Sequence, residues 1–125
     1  MFVTNGGGIL EAEKARLLSS KLGLQVDAQQ LVLCHTPVRQ LVHRFGKQRV
    51  LCVGGPGVPG VARAYGFQDV ASVADVIADD PRRYPLWKGK VEEVALPGDR
   101  HKEFGAVIVF HDPEDWGPDL QVTPV

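Results

Sequence analysis

Short apolar runs alternate with helical stripes of apolar residues along this chain. The runs predict buried strands at residues 2–3, 31–34, 49–53 and 106–110, with a shorter strand near Val70. The stripes predict helices at residues 11–22, 37–45, 61–65 and 73–78. Strands that alternate with helices indicate an α/β layered fold with a largely parallel sheet.

Residues typical of helix ends support these boundaries. Gly23 is well placed to end the first helix in a left-handed conformation. Each of the pairs Thr36-Pro37 and Asp112-Pro113 predicts an N-cap residue followed by proline at the first helical position. The polar, proline-containing stretch 79–103 predicts a mostly exposed loop.

The composition is typical of a soluble globular protein with one domain: 125 residues, 44% of them apolar and 23% charged. The formal net charge of −1 shows no basic excess that would indicate nucleic-acid binding, and no acidic block indicates a binding tail. The apolar runs are far shorter than the roughly 20 residues of a membrane helix, and no targeting segment is visible. Cys34 and Cys52 stand inside apolar runs, which predicts two buried, reduced thiols.

The first candidate site follows the first strand, where Thr4, Asn5 and Gly6 begin a run that continues to Gly8. In α/β sheets, ligands bind where strands end and helices begin. A hydroxyl, an amide and glycine N–H groups at such a junction can bind an anion, and the following helix N-terminus favours negative charge. The alternative is a plain glycine turn with a local threonine or asparagine hydrogen bond.

The second candidate is the loop from Gly55 to Gly60, which matches G-x-G-x-x-G between a strand and a helix. Pro56 has no N–H to donate to a phosphate, and no Gly-Lys-Ser/Thr follows. A tight strand–helix connection therefore explains the glycines better. An independent nucleotide-binding domain stays open as an alternative, and protection of the protein by NAD or ATP would support it.

The third candidate is the pair His111 and Asp112 at the end of the last strand. Histidine suits proton transfer near neutral pH, so His111 is a candidate to face a ligand. The alternative is that Asp112 and Pro113 only begin a helix. His35 also ends a strand and is interpreted as satisfied locally. The four histidines lack the spacing of a metal cage, so no metal ligand is predicted.

Several strings of residues, in chain order, resemble one family. Phe2-Val-Thr-Asn-Gly-Gly-Gly8, followed by Glu13-Lys-Ala15 in a helix that ends at Gly23, is similar to the second motif of haloacid dehalogenase-like hydrolases. Further strings are similar to the cat eye syndrome region branch, of the class IIA subfamily with a large α/β cap inserted after that motif. They are Cys34-His-Thr-Pro37, Val50-Leu-Cys-Val-Gly-Gly55, Tyr65-Gly-Phe67, Ala106-Val-Ile-Val-Phe-His-Asp-Pro-Glu-Asp-Trp116 and Asp119-Leu-Gln121.

The resemblance covers nearly the whole chain and implies a Mg²⁺-dependent hydrolase of small phosphorylated molecules. Such an enzyme has a Rossmann-like core and an α/β cap. Its chemistry passes through an aspartyl-phosphate, with Mg²⁺ and a lysine neutralising the phosphate. By this resemblance, Thr4 would bind the transferring phosphate as the catalytic residue, and Asn5 and Gly6 would lie beside the substrate. His111 and Asp112 would bind the substrate from the cap.

The resemblance also leads us to expect an internal piece of such an enzyme. Residues 1–33 would be a remnant of the catalytic core, and residues 34–125 an incomplete cap. No Asp-x-Asp string precedes Thr4. The family's lysine and its late metal-binding aspartates would lie beyond Val125. We therefore expect no catalysis by this chain alone.

Two further expectations concern partners and location. If the chain has no catalytic activity, it can still be a module that binds a ligand or associates with a full-length homologue. Ligand-dependent thermal stabilisation without turnover would favour that alternative. The family resemblance implies mitochondria, and a cytoplasmic location stays open.

Overall fold

The computed structural model describes residues 1–80, 83–84, 103–113 and 115–122, and within them strands and helices alternate as expected. The strands are β1 (Phe2–Thr4), β2 (Leu31–Leu33), β3 (Arg49–Val53), β4 (Asp69–Ser72) and β5 (Ala106–Val109). The helices are α1 (Glu11–Leu22), α2 (Val42–Phe45), α3 (Val58–Tyr65), α4 (Val73–Asp79) and α5 (Trp116–Val122). The α/β fold class is confirmed. Most of the predicted loop 79–103 lies outside the described residues.

Every strand pairing in the described part of the chain is parallel, and the strands form two sheets. β1 pairs with β2, with Thr4 opposite Leu33. In the second sheet β3 lies between β4 and β5. The carboxyl ends of parallel strands meet at one edge of a sheet, so each sheet has an edge suited to ligand binding. The sheets separate at the predicted boundary between residues 33 and 34, while the division into two domains stays a prediction.

Successive residues of β3 belong to two apolar clusters, as expected for a strand that is buried on both faces. The first cluster comprises Val50, Cys52, Val58, Val61, Ala62, Phe67, Ile108 and Phe110. The second comprises Leu51, Val53, Val73, Val76, Ile77 and Val122. A third cluster of Ala15, Val26 and Leu31 holds α1 against β2. These clusters fix the strand ends that carry the candidate residues.

The ends of α1 and of the turn after it follow local sequence rules. Gly23 ends α1 in the left-handed conformation, at φ 65°, as predicted. The backbone N–H of Asp27 donates to Oε1 of Gln30, which stabilises the short 3₁₀ helix Ala28–Gln30. None of the helices in the described ranges is long and apolar enough to cross a bilayer.

Thr36 is not the N-cap residue that its position before proline predicted. Residues Thr36–Leu41 form a 3₁₀ helix, and His35 occupies the capping position. The Thr36 hydroxyl is used elsewhere, because it accepts the N–H of Leu33 and donates to Glu11. A tertiary hydrogen bond therefore replaces the local cap.

Asp112 is not an N-cap residue either. The last helix begins later, at Trp116. Asp115 supports that start, because its Oδ1 accepts the N–H of Gly117 at 2.9 Å. Asp112 instead offers its backbone carbonyl to Nδ1 of His111.

Candidate functional site

The carboxyl ends of β1, β2, β3 and β5 meet in this structure. Gly57, in the loop after β3, packs so closely on Gly8 that a Cβ there would overlap the Gly8 carbonyl oxygen. Cys34 follows β2, and its Sγ donates to the carbonyl oxygen of Phe110, after β5, at 3.1 Å. These contacts join the two sheets. They bring the three candidate junctions of the sequence to one place.

His111 lies among glycines at this junction. Its Nε2 accepts the N–H of Gly55 at 3.1 Å, and its Nδ1 donates to the carbonyl oxygen of Asp112 at 2.8 Å. Its ring also lies against Gly7 and Gly8, where an added Cβ would stand 3.0–3.1 Å from ring atoms. Both ring nitrogens are thus occupied in the neutral tautomer. His111 holds the loop after β3 against the turn after β1, and its role in substrate binding stays a prediction.

In the glycine loop after β3, the backbone groups that could bind a ligand already make contacts within the chain. The N–H of Gly55 is bound to His111, and the Gly55 carbonyl accepts the N–H of Val58 at 3.0 Å. α3 begins at Val58, inside the G-x-G-x-x-G string, and Gly57 abuts Gly8. This geometry favours a tight strand–helix connection over a nucleotide site.

Thr4, Asn5 and Gly6 form the end of β1 and the turn after it. Oγ1 of Thr4 accepts the N–H of Gly6 at 3.1 Å, so the local bond of a plain glycine turn is present. The hydroxyl hydrogen of Thr4 has no acceptor among the described residues. The Asn5 side chain is exposed and makes no hydrogen bond there either. Both groups are therefore available to a ligand.

Behind this turn, a buried carboxylate links residues on both sides of the predicted boundary. Glu11 is 4% exposed. Its Oε1 accepts from the hydroxyls of Thr36 at 2.8 Å and Tyr65 at 2.7 Å, and its Oε2 accepts from Arg39 at 2.6 Å. Burial raises the pKa of the Glu11 carboxyl, but the hydrogen bonds and the charge of Arg39 outweigh burial, so this pKa is lowered. We name Glu11, Thr36, Arg39, Tyr65 and the adjoining His35 the Glu11 network.

His35 is fully buried, and its Nδ1 lies 2.7 Å from the hydroxyl oxygen of Tyr65. Tyr65 has one proton, which it donates to Glu11, so Nδ1 of His35 must donate to Tyr65. Its Nε2 then carries a lone pair without a partner among the described residues. Burial lowers the pKa of His35 more than the charge of Glu11 raises it, which keeps the ring neutral. Its partner is a tertiary contact, not the local one that the sequence suggested.

Sequence reasoning missed Glu11 as a site residue, although one signal was present. Glu11 is spaced i, i+4 and i+7 from Ala15 and Leu18, so it stands on the apolar face of α1. A carboxylate on such a face predicts a buried partner. Tyr65 had no comparable signal, because it lies 54 residues further along the chain.

The two cysteines differ in their surroundings, and both are free. Cys52 is buried as predicted, and burial raises its pKa to about 12, so it is an inert thiol. Cys34 is exposed, which corrects the prediction that both would be buried. It lies just past the end of β2, at the edge where the strand ends meet, and not inside the sheet.

The described residues do not fit a magnesium site. Among them, no three or more histidine, cysteine, aspartate or glutamate side chains are grouped to hold a metal ion. Glu11 is the first carboxylate after Thr4, and it already accepts from three donors, including Arg39. Three of its roughly four lone-pair sites are engaged, and the neighbouring guanidinium would repel a cation. No Mg²⁺ ligand is therefore assigned to this part of the chain.

These features define the class of protein: a parallel α/β fold with a Thr-Asn-Gly turn between its first strand and first helix. The model of the haloacid dehalogenase-like hydrolase family matches residues 1–68, more than half of the chain. The chain belongs to the haloacid dehalogenase-like hydrolases, which confirms the resemblance seen in its motifs.

Two curated relatives align with almost the whole chain. A mitochondrial hydrolase of Saccharomyces cerevisiae is 39% identical over 127 residues, which cover 98% of this chain and 36% of the relative. A Schizosaccharomyces pombe protein is named as a fusion of cardiolipin synthase (CMP-forming) and mitochondrial hydrolase. It is 32% identical over 127 residues, covering 98% of this chain and 21% of that protein. The chain thus spans about a third and a fifth of the lengths of these relatives.

Proposed function

We propose that this chain is the phosphate-binding part of a Mg²⁺-dependent phosphatase of small phosphorylated molecules. The supporting observation is the turn after β1, where the Thr4 hydroxyl hydrogen and the Asn5 amide have no partner in the described part of the chain. Thr4 would donate to a phosphate oxygen, and the start of α1 would favour the negative charge. Membership of a hydrolase family supports hydrolysis as the reaction of the parent enzyme.

We also propose that the chain does not hydrolyse phosphate esters by itself. An aspartyl-phosphate route needs a free carboxylate beside the bound phosphate. Glu11 follows the turn but is held in the Glu11 network, so it is not free to attack. The nucleophile and the Mg²⁺ ligands would come from other segments of a longer enzyme, as the greater length of both relatives allows.

We propose that the parent enzyme is mitochondrial, because one relative is named as a mitochondrial hydrolase and the other as a fusion protein that includes one. Fractionation of cells with an antibody against this chain tests the location. Recovery in the cytosol alone would refute it.

The purified chain is expected to show no EDTA-sensitive hydrolysis of p-nitrophenyl phosphate in the presence of Mg²⁺. A known Mg²⁺-dependent phosphatase, assayed alongside, shows that the conditions support turnover. The opposite result, turnover that is lost both with EDTA and in Thr4→Ala, would refute the proposed inactivity. Asp112 and Asp115 would then be the carboxylates to test as the nucleophile.

A further inference from the structure

Lys14 brings a positive charge to the turn after β1. It lies in the first turn of α1, and its Nζ stands 3.4 Å from the position that a Cβ on Gly6 would occupy. Oγ1 of Thr4 stands at the same distance from that position. The ammonium of Lys14 and the hydroxyl of Thr4 therefore border the same small space beside Gly6.

The charge of Lys14 is not compensated in the free protein. Within the described ranges, the half-buried Lys14 side chain has no ion pair and no hydrogen bond. Its position is also unfavourable for a cation, because the N-terminal end of a helix carries partial positive charge. Of the two acidic groups in the first turn of α1, Glu11 is already paired with Arg39, and Glu13 forms no ion pair with Lys14 within the described ranges. An anion bound at the turn would compensate both Lys14 and the helix end.

We propose that Lys14 is the residue that makes this turn selective for a phosphoryl dianion, the charge form of a phosphate monoester. This inference rests on the proposed function, since it takes the turn to be the phosphate site. A compact ammonium gains more from two negative charges than from one, so a phosphodiester or a carboxylate would bind more weakly. Lys14 is distinct from the family's lysine, which the resemblance places beyond Val125.

The test is calorimetric titration of the whole chain with inorganic phosphate, and with dimethyl phosphate as the monoanion. Lys14→Met should weaken phosphate binding at least about tenfold, the loss expected for one charge-assisted contact, and should leave the weak binding of dimethyl phosphate nearly unchanged. Lys14→Arg should restore most of the affinity. Lys21→Met is the matched control, because Lys21 is an exposed lysine in the last turn of the same helix.

Thermal unfolding without phosphate separates ligand binding from a structural role. Lys14→Met should be at least as stable as the unmodified chain, because it removes an uncompensated cation from the helix start. A lower melting temperature, together with equal losses for phosphate and dimethyl phosphate, would overturn the inference.

The two proposals fail in different ways. If the unmodified chain binds phosphate and Lys14→Met binds it equally well, the role of Lys14 is refuted and the phosphate site at Thr4 stands. If the unmodified chain binds no phosphate at all, the proposed function itself fails, and the role of Lys14 fails with it.

Discussion

Replacing Glu11 with alanine is expected to lower the free energy of unfolding by about 2–4 kcal/mol. The substitution leaves the partly buried hydroxyls of Thr36 and Tyr65 without their acceptor and removes the ion pair with Arg39. Arg39 is half exposed, so most of the loss comes from the two hydroxyls. Unfolding in urea measures the change.

Glu13→Ala is the matched control for this prediction. Glu13 is exposed, and it stands in the same first turn of α1 as Glu11. Both substitutions remove one acidic group that favours the helix N-terminus, so the difference between them isolates the Glu11 network. We expect Glu13→Ala to stay within about 0.5 kcal/mol of the unmodified chain. Equal effects of the two substitutions would show that the network contributes nothing beyond the helix start.

The Glu11 network also predicts how stability depends on pH. The pKa of Glu11 is lowered on folding, so its contribution is present above the unfolded value of 4.5 and is lost as pH falls through the folded pKa. Burial lowers the pKa of His35, so its contribution is present above 6.5 and declines as pH falls below that value. Burial, and then the bond to Glu11, raise the pKa of Tyr65 from 10.0 to about 12, so its contribution declines as pH rises through this range.

The same urea measurement, repeated across this pH range, checks the signs. The unmodified chain should lose stability on both the acidic and the alkaline side. In Glu11→Ala, the loss below pH 4.5 should be smaller, because the group that titrates there is absent. If the free energy of unfolding falls equally steeply below pH 4.5 in both proteins, the groups responsible for the acid dependence lie outside the Glu11 network.

Replacing Gly57 with alanine is expected to cost about 3 kcal/mol of folding free energy. A Cβ at this position would overlap the carbonyl oxygen of Gly8, and it would stand 3.2 Å from the carbonyl carbon. Both are backbone atoms, which cannot rotate away as a flexible side chain does. The turn after β1 or the loop after β3 must therefore move.

Gly60→Ala is the control for Gly57→Ala. Gly60 lies within α3, and a Cβ there would meet no atom within 4 Å. Alanine is the better helix former, so this substitution should stabilise the protein by about 0.5–1 kcal/mol. The two glycines, three positions apart, should thus give changes of opposite sign. If Gly57→Ala is also neutral or stabilising, the close packing of the two glycine turns is wrong.

Local sequence patterns predicted most of the strands and helices, because neighbouring residues largely determine where these elements form and end. The apolar runs of β3 and β5 and the glycine that ends α1 are determined within a few residues. Which strands pair is not local: β2 and β3 follow each other along the chain but belong to different sheets. The two misplaced N-caps differ in kind: a tertiary hydrogen bond to Glu11 engages the Thr36 hydroxyl, whereas the last helix begins at Trp116, beyond Asp112.

The sequence predicted the separate segments of the candidate site, but it did not predict that these segments lie together. The rule that ligands bind at strand ends identified Thr4, Gly55 and His111 separately. The contacts among their segments join residues far apart in the chain, such as Gly55 and His111, which are 56 positions apart, and no spacing in the sequence encodes them. Glu11 had a signal in its place on the apolar face of α1, whereas Lys14 was recognisable only once the side of α1 that faces the turn was known.

We propose above all that phosphate binds at the turn after β1. Titration of the isotope-labelled chain with inorganic phosphate, followed by the chemical shifts of its backbone amides, tests it most directly. We predict saturable shifts of the amides from Asn5 to Gly8 and in the first turn of α1, which are lost in Thr4→Ala. The absence of saturable shifts there, or shifts centred on Gly55 to Gly60, would contradict the claim.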